Sequence, residues 1–161
     1  MNDAGKQDSG SPPSDTQMRR FEEALPIALL RTREMVMARF RPHLAEHGMT
    51  EQQWRVIRMV QQQPGIDATA LSDSCCILMP SLSRMLKTLE SEGLILREKV
   101  EGDMRRQFIS LSEAGETLFS KMAPRSEQIY AELEAEIGKD QMDTLIEQLQ
   151  LLRHNLRKLP G

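Results

Sequence analysis

The stretch "GDMRRQFISLS", Gly102 to Ser112, decides how the rest of the chain is read. A Gly-Asp pair predicts a tight turn, and Arg105 and Arg106 follow it before an apolar run begins. Upstream lies a second strand-like run, "LILREKV", so the two pair as a hairpin around Glu101-Gly102-Asp103-Met104. One reading is a hairpin with a solvated tip. The other is a small β-wing with a basic finger, and the neighbouring segments decide between them.

The segment before the hairpin is "MPSLSRMLKTLESEG", Met79 to Gly93. Pro80 suits the first helical position and Gly93 the residue just past the end. At about 100° per residue, Leu82, Met85, Leu86 and Leu89 share one face. Pro80, Ser83, Arg84, Lys87 and Ser91 share the opposite one, with Ser81 and Thr88 at its edge. The outer face is therefore small, hydroxylated and basic. Before it, "GIDATALSDSCC" predicts a helix of about two turns, with Asp67 as cap and Ile66 packing on Leu71. "MTEQQW" opens an earlier helix: Thr50 caps, Gln53 completes a capping box and Met49 staples onto Trp54. That helix runs through Ile57 and Val60 and stops before Pro64-Gly65.

A short helix followed at once by one with a polar outer face is the grammar of helix-turn-helix, whose second helix enters the major groove. Ser81 and Ser83 allow close approach, Arg84 can bond a guanine edge in two places, and Lys87 can neutralise a phosphate. Thr69, on the short helix, joins this set. The alternative is a solvated face on an ordinary helix. The hairpin weighs against it, because a ribbon beside a reading helix makes a wing. Arg105 and Arg106 suit a neighbouring minor groove, where negative potential is concentrated. Arg97 and Lys99 can meet phosphates on the way. Asp103 makes sense as the partner that holds the planar fork of Arg105.

Outward from this centre, residues 1 to 17 are rich in Gly, Ser, Pro and Asp and are expected to be disordered. Residues 18–48 read as a helix with Leu25, Leu29, Val36 and Phe40 along one side, Pro42 kinking or ending it, and Gly48 breaking it. Residues 49–112 form the reading domain. Residues 113–161 read as two helices broken near Gly138 and bent at Pro124. In the second, Met142, Leu145, Ile146, Leu149, Leu152 and Leu156 form a stripe that a second copy of the chain would cover. The fold class is thus mainly α with a small β-wing: a winged helix-turn-helix with N- and C-terminal dimerisation helices.

"DMRRQFISLSEAG", Asp103 to Gly115, resembles the wing signature of MarR-type winged-helix regulators: Asp-x-Arg, an apolar strand ending in Leu-Ser/Thr, then a Gly opening the next helix. "PSLSRMLKTLESEGLILR" is similar to their recognition helix and first wing strand, and the likeness runs from Leu25 to Ile137. It implies an obligate homodimer whose first and last helices interlock, straddling a pseudo-palindrome of double-stranded operator DNA. "LPIALLRTREMVMARFRPHL", "MTEQQWRVIR" and "CCILMPSLSRMLKTLE" further resemble the subgroup that represses homoprotocatechuate (3,4-dihydroxyphenylacetate) operons. In such relatives a small aromatic acid or phenol in a crevice between the dimerisation helices and the winged helix releases the DNA.

A catechol carboxylate needs an apolar slot for its ring and a cation for its acid. Arg33, Phe40, Arg41, His43 and Trp54 are the candidates, with Met37 and Arg58 beside them. Each has a plainer alternative: Trp54 as packing, Arg41 and Arg58 as salt-bridge partners, His43 as a polar cap. The chain of 161 residues carries net charge −3, so any affinity for DNA must come from a local patch. Between Met79 and Arg106 there are six Lys/Arg and five Asp/Glu, a net of +1. Salt-sensitive, moderate affinity is expected.

The chain offers no arrangement of nucleophile and base, no phosphate-binding glycine loop and no cofactor motif, so an enzyme is not expected. Adjacent Cys75 and Cys76 read as small core thiols, with a redox sensor as the alternative, and His43, His47 and His154 lack the spacing of a metal site. With no apolar run of membrane-spanning length and no signal-peptide core, a cytoplasmic location is expected. Two other readings stay open: the same fold answering a different phenolic ligand, and a winged-helix protein-interaction module.

Overall fold

The computed structural model describes residues 19–100 and 103–160, and the side chains of all of these except 99, 100 and 103–106. The chain divides into two units at Val36/Met37. In the first, a single 3-10 turn, Phe21–Glu23, precedes the start of α1, and Arg31 lies over the ring of Phe21 with Cζ 5.7 Å from its centroid. Helix α1 spans Leu25–Glu46 and carries the chain into the second unit. Pro42 does not end it. Proline lacks the N–H that would bond the carbonyl four residues earlier, and the helix nonetheless continues to Glu46.

In the second unit the order is α2 (Glu51–Gln62), β1 (Ile66–Asp67), α3 (Ala68–Cys75), α4 (Met79–Ser91), β2 (Ile95–Val100), β3 (Asp103–Leu111), α5 (Glu113–Ile137) and α6 (Lys139–Leu156). The capping box of α2 is complete: Gln53 N donates to Thr50 Oγ1 at 3.1 Å, and Thr50 N donates to Gln53 Oε1 at 2.9 Å. Asp67 Oδ1 accepts from Thr69 N and Ala70 N, both at 2.9 Å, and so starts α3. Cys76, at φ 51°, turns the chain out of α3 in the left-handed region. Ser72 Oγ donates to Ile77 O at 2.6 Å across that corner. Pro80 falls in the first turn of α4, behind Met79, and Gly93 at φ 72° closes the helix.

The sheet has the order β1-β3-β2, all antiparallel, with Ile66 opposite Ile109 and Ile95 opposite Leu111. Strand β1 was not expected; at two residues it is too short to show alternation. Beneath the sheet, Val56, Ile57, Val60, Leu71, Leu82, Leu86 and Leu89 are almost wholly removed from solvent. The strand exits into α5 through a tight junction. Ser112 Oγ accepts from Gly115 N at 3.1 Å, and Ser112 N donates to Leu94 O at 3.0 Å. A Cβ on Gly115 would lie 2.1 Å from Leu94 O, so only glycine fits there. Pro124 sits within α5 without ending it. No described helix is long and apolar enough to cross a membrane.

Candidate nucleic-acid interface and ligand crevice

Helix α4 divides its faces as its periodicity predicts. Leu82, Leu86 and Leu89 are buried, while Pro80, Ser83, Arg84 and Lys87 are exposed and Ser81 is half-buried. Among the described residues Arg84 Nε makes only a long 3.3 Å bond to Pro80 O, so its guanidinium can turn outward. Thr69 is exposed at the start of α3. Leu78, which precedes α4, is 80% exposed, a large apolar side chain standing beside the polar face.

Arg97 faces inward more than expected. Its Nε lies 3.0 Å from Glu90 Oε2, although the N–H is not directed well enough at the carboxylate to form a hydrogen bond. The pair braces β2 against the end of α4. Strand β3 begins at Asp103, opposite Val100, after a register shift between Lys99 and Val100. The side chains of Lys99, Asp103, Arg105 and Arg106 lie outside the described residues, as do residues 101 and 102 of the expected turn.

A crevice of about 230 Å³ opens between the end of α1, α2, the end of α3 and α5. Phe40, Trp54 and Tyr130 supply rings to it, Arg55 and Arg58 supply cations, and Glu51 supplies a carboxylate. The rings of Phe40 and Tyr130 meet at 5.0 Å with a 58° tilt, and Trp54 stacks on Phe119 at 5.7 Å. Trp54 Nε1 is buried with no acceptor among the described residues. Arg58 Nη1 donates to Tyr130 Oη at 3.1 Å. Arg55 Nη1 donates to Cys75 O at 2.7 Å, and Cys75 Sγ points back to Arg55 O at 3.7 Å. Burial pushes the Cys75 thiol above its ordinary value, against the opposing pull of the Arg55 guanidinium.

Of the five residues proposed for a ligand from sequence, Phe40 and Trp54 line this crevice. Arg41 lies just outside, bound through Nε to Glu51 Oε1 at 2.6 Å, and so joins α1 to α2. His43 is buried elsewhere, with Nε2 3.1 Å from Met122 O. Arg33 belongs to the first unit, where it pairs with Glu34 at 2.6 Å. Glu51, Arg55 and Tyr130 were missed. Tyr130 comes from 72 residues beyond Arg58, a distance no local pattern bridges.

A short capped helix, a second helix with a polar outer face and a hairpin behind it define a winged helix-turn-helix protein. The MarR family model matches residues 49–106, which run from the start of α2 into β3. The homoprotocatechuate degradative operon repressor of Escherichia coli is 38% identical over 125 residues, covering 78% of this chain and 84% of the repressor. The chain belongs to the MarR family and is a DNA-binding transcriptional regulator, not an enzyme. Two solved structures show the same fold. NadR in complex with 4-hydroxyphenylacetate superimposes with a TM-score of 0.75 at 34% identity, covering 84% of this chain and 96% of NadR. The repressor CouR bound to a 23-mer DNA duplex superimposes with a TM-score of 0.69 at 26% identity, covering 86% and 99%.

Proposed function

We propose that this chain is a homodimeric repressor of an operon for aromatic-compound breakdown, relieved by an aryl acetic acid such as 3,4-dihydroxyphenylacetate. The observation that carries the reading is the crevice, where three aromatic rings meet two guanidinium groups and a carboxylate. Pockets for drug-sized ligands measure about 300–1,000 Å³, so this smaller space suits a single ring. The acid group meets Arg58, which Tyr130 already orients, and the ring lies between Phe40 and Trp54. A phenolic hydroxyl donates to Glu51. Because Glu51 also holds Arg41 of α1, a ligand that engages it acts on the joint between α1 and the reading domain. A ligand alters DNA affinity only by favouring one arrangement of the two reading heads over another.

On the DNA side, Arg84 reads a base edge, and Pro80, Ser81 and Ser83 permit close approach. Thr69, Lys87, Arg97 and Lys99 meet phosphates, Arg97 with part of its charge spent on Glu90. Arg105 and Arg106 enter the minor groove, with Asp103 as their buttress. The α6 stripe supports pairing of two chains. None of its residues is buried, and Leu145, Ile146 and Leu156 are about half exposed, at 51, 49 and 52%. Such a surface is costly to leave in water.

A second inducer, 4-hydroxyphenylacetate, is favoured by the likeness to NadR, which was crystallised with it. The test is fluorescence anisotropy on labelled DNA from upstream of the protein's own gene, titrated with each acid. Specific binding abolished by the catechol acid supports the reading as stated. Release by the monophenol alone moves the inducer to the second reading. Binding unaffected by either acid would reject the aryl acetate.

A further inference from the structure

The last turn of α1 holds a group of side chains that neither the crevice nor the DNA face uses. His43, Glu46 and His47 stand at i, i+3 and i+4, so one helix face carries all three. A ligand-capable atom from each lies within 4.8 Å of the other two. The backbone also sets the two imidazoles. His43 Nε2 lies 3.1 Å from Met122 O of α5, and a carbonyl can only accept, so Nε2 carries the proton. His47 Nδ1 lies 3.1 Å from His43 O and is protonated for the same reason. Each neutral ring is left with one nitrogen lone pair. The rings meet edge to face, with centroids 5.2 Å apart.

We propose that His43, Glu46 and His47 bind a divalent first-row transition cation of the zinc type. Two imidazole nitrogens and one carboxylate oxygen are a borderline donor set, which suits zinc, nickel or copper rather than magnesium or calcium. Metal-bound histidines characteristically donate their other N–H to a backbone carbonyl or carboxylate, the arrangement present here on both rings. The site also sits at the C-terminal end of a 22-residue helix, where the dipole favours a positive charge. Ligands around one tetrahedral zinc stand about 3.4 Å apart. Rotation of exposed Glu46, with a tilt of half-buried His47 that keeps its Nδ1 on His43 O, closes the observed spacing around fixed His43. A fourth position is left open for water.

The ion would act on the frame of the regulator. Charge on the His43 ring strengthens its donation to Met122 O and so ties the end of α1 to α5. That end leads within four residues to the Thr50 cap of α2. Glu46, three residues after His43 and directly before His47, completes the set.

The test uses the full chain, freed of metal with a chelator and dialysed. Zinc is titrated in competition with a chromophoric chelator, and cobalt is used as a spectroscopic probe of the ligand field. One ion per chain is expected. His47→Gln and Glu46→Gln should each weaken binding at least about tenfold, the low end of what even an outer partner of a metal ligand contributes. Both sites reach solvent, so these variants should fold, as circular dichroism would verify; buried His43 is left unchanged. Cys76→Ser should bind as the parent chain does. Stoichiometry well below one at micromolar free zinc would overturn the proposal. So would parental affinity in His47→Gln and Glu46→Gln, or loss of binding in Cys76→Ser.

Discussion

Arg58 and Tyr130 hold one another across the crevice: Arg58 Nη1 donates to Tyr130 Oη at 3.1 Å, and its Cζ lies 5.7 Å from the ring centroid. A planar guanidinium held in this way is presented to an incoming acid with little further ordering. Arg58→Ala removes the cation, and a hydrogen bond to a charged group is worth about 1.5–3 kcal/mol. The aryl acetate concentration needed to release half the DNA should rise roughly ten- to a hundredfold. Operator affinity without ligand should stay at the parental value. Loss of DNA binding itself would place Arg58 in the frame of the reading domain instead.

Gly115 is the second sensitive point. Its missing Cβ is what lets α5 approach the Leu94 carbonyl, since that atom would lie 2.1 Å from the oxygen. The nearest atom is a backbone oxygen, not the end of a flexible side chain, and it is tied by the Ser112 N–H at 3.0 Å. Gly115→Ala should therefore lower unfolding free energy by at least about 1–3 kcal/mol, the usual cost of overpacking. Urea denaturation checks this. An unchanged midpoint would mean that the junction between β3 and α5 yields easily.

The elements that local chemistry dictates were legible in the sequence. Thr50 with Gln53, Asp67 before Ala68, and Gly93 after Ser91 each announce a helix boundary through their own hydrogen bonds or backbone angles, and each does so in the structure. Strand β1 was not legible, because Ile66 and Asp67 owe their extended pairing to Ile109 and Phe108, more than 40 residues on. Pro42 gave an ambiguous signal: it removes one hydrogen bond, and only the whole of α1 decides whether that ends the helix. The crevice was half legible. Phe40 and Trp54 could be suspected from ring chemistry on two helices, but Tyr130 and the end of α3 join them only through tertiary packing. The Arg97–Glu90 pair likewise depends on how β2 crosses α4, which periodicity within either element does not reveal.

Cys75 makes the protein sensitive to alkali. Its buried thiol resists ionisation, so the folded chain keeps this proton at pH values where the unfolded chain has lost it, above the ordinary 9.0. The contribution to stability is intact below that value and is lost as pH rises past it toward the folded-state pKa. Cys75→Ala leaves a small cavity at every pH but removes this slope. Between about pH 8 and about pH 10, the variant should lose less stability than the parent chain. Chemical denaturation at the two pH values compares the slopes, and identical slopes would mean that the thiol titrates as freely in the fold as in the unfolded chain. Exposed Cys76 should react first with a thiol reagent, and an aryl acetate in the crevice should slow Cys75 further.

Arg84 separates recognition of sequence from attraction to phosphate. It stands exposed on α4 between Ser83 and the next turn's Lys87, held among the described residues by a single 3.3 Å bond to Pro80 O. If it forms a bidentate pair with a guanine, Arg84→Ala should lose about 1–3 kcal/mol against the operator and much less against random DNA. Lys87→Ala should instead weaken both alike and flatten the dependence of affinity on salt, because a phosphate contact carries a released counterion and no base information. Competition anisotropy with operator and scrambled duplexes at two salt concentrations measures both effects. Equal losses on the two duplexes for Arg84→Ala would reassign it to the backbone, and base reading would then fall to the small residues Pro80, Ser81 and Ser83 and to the wing.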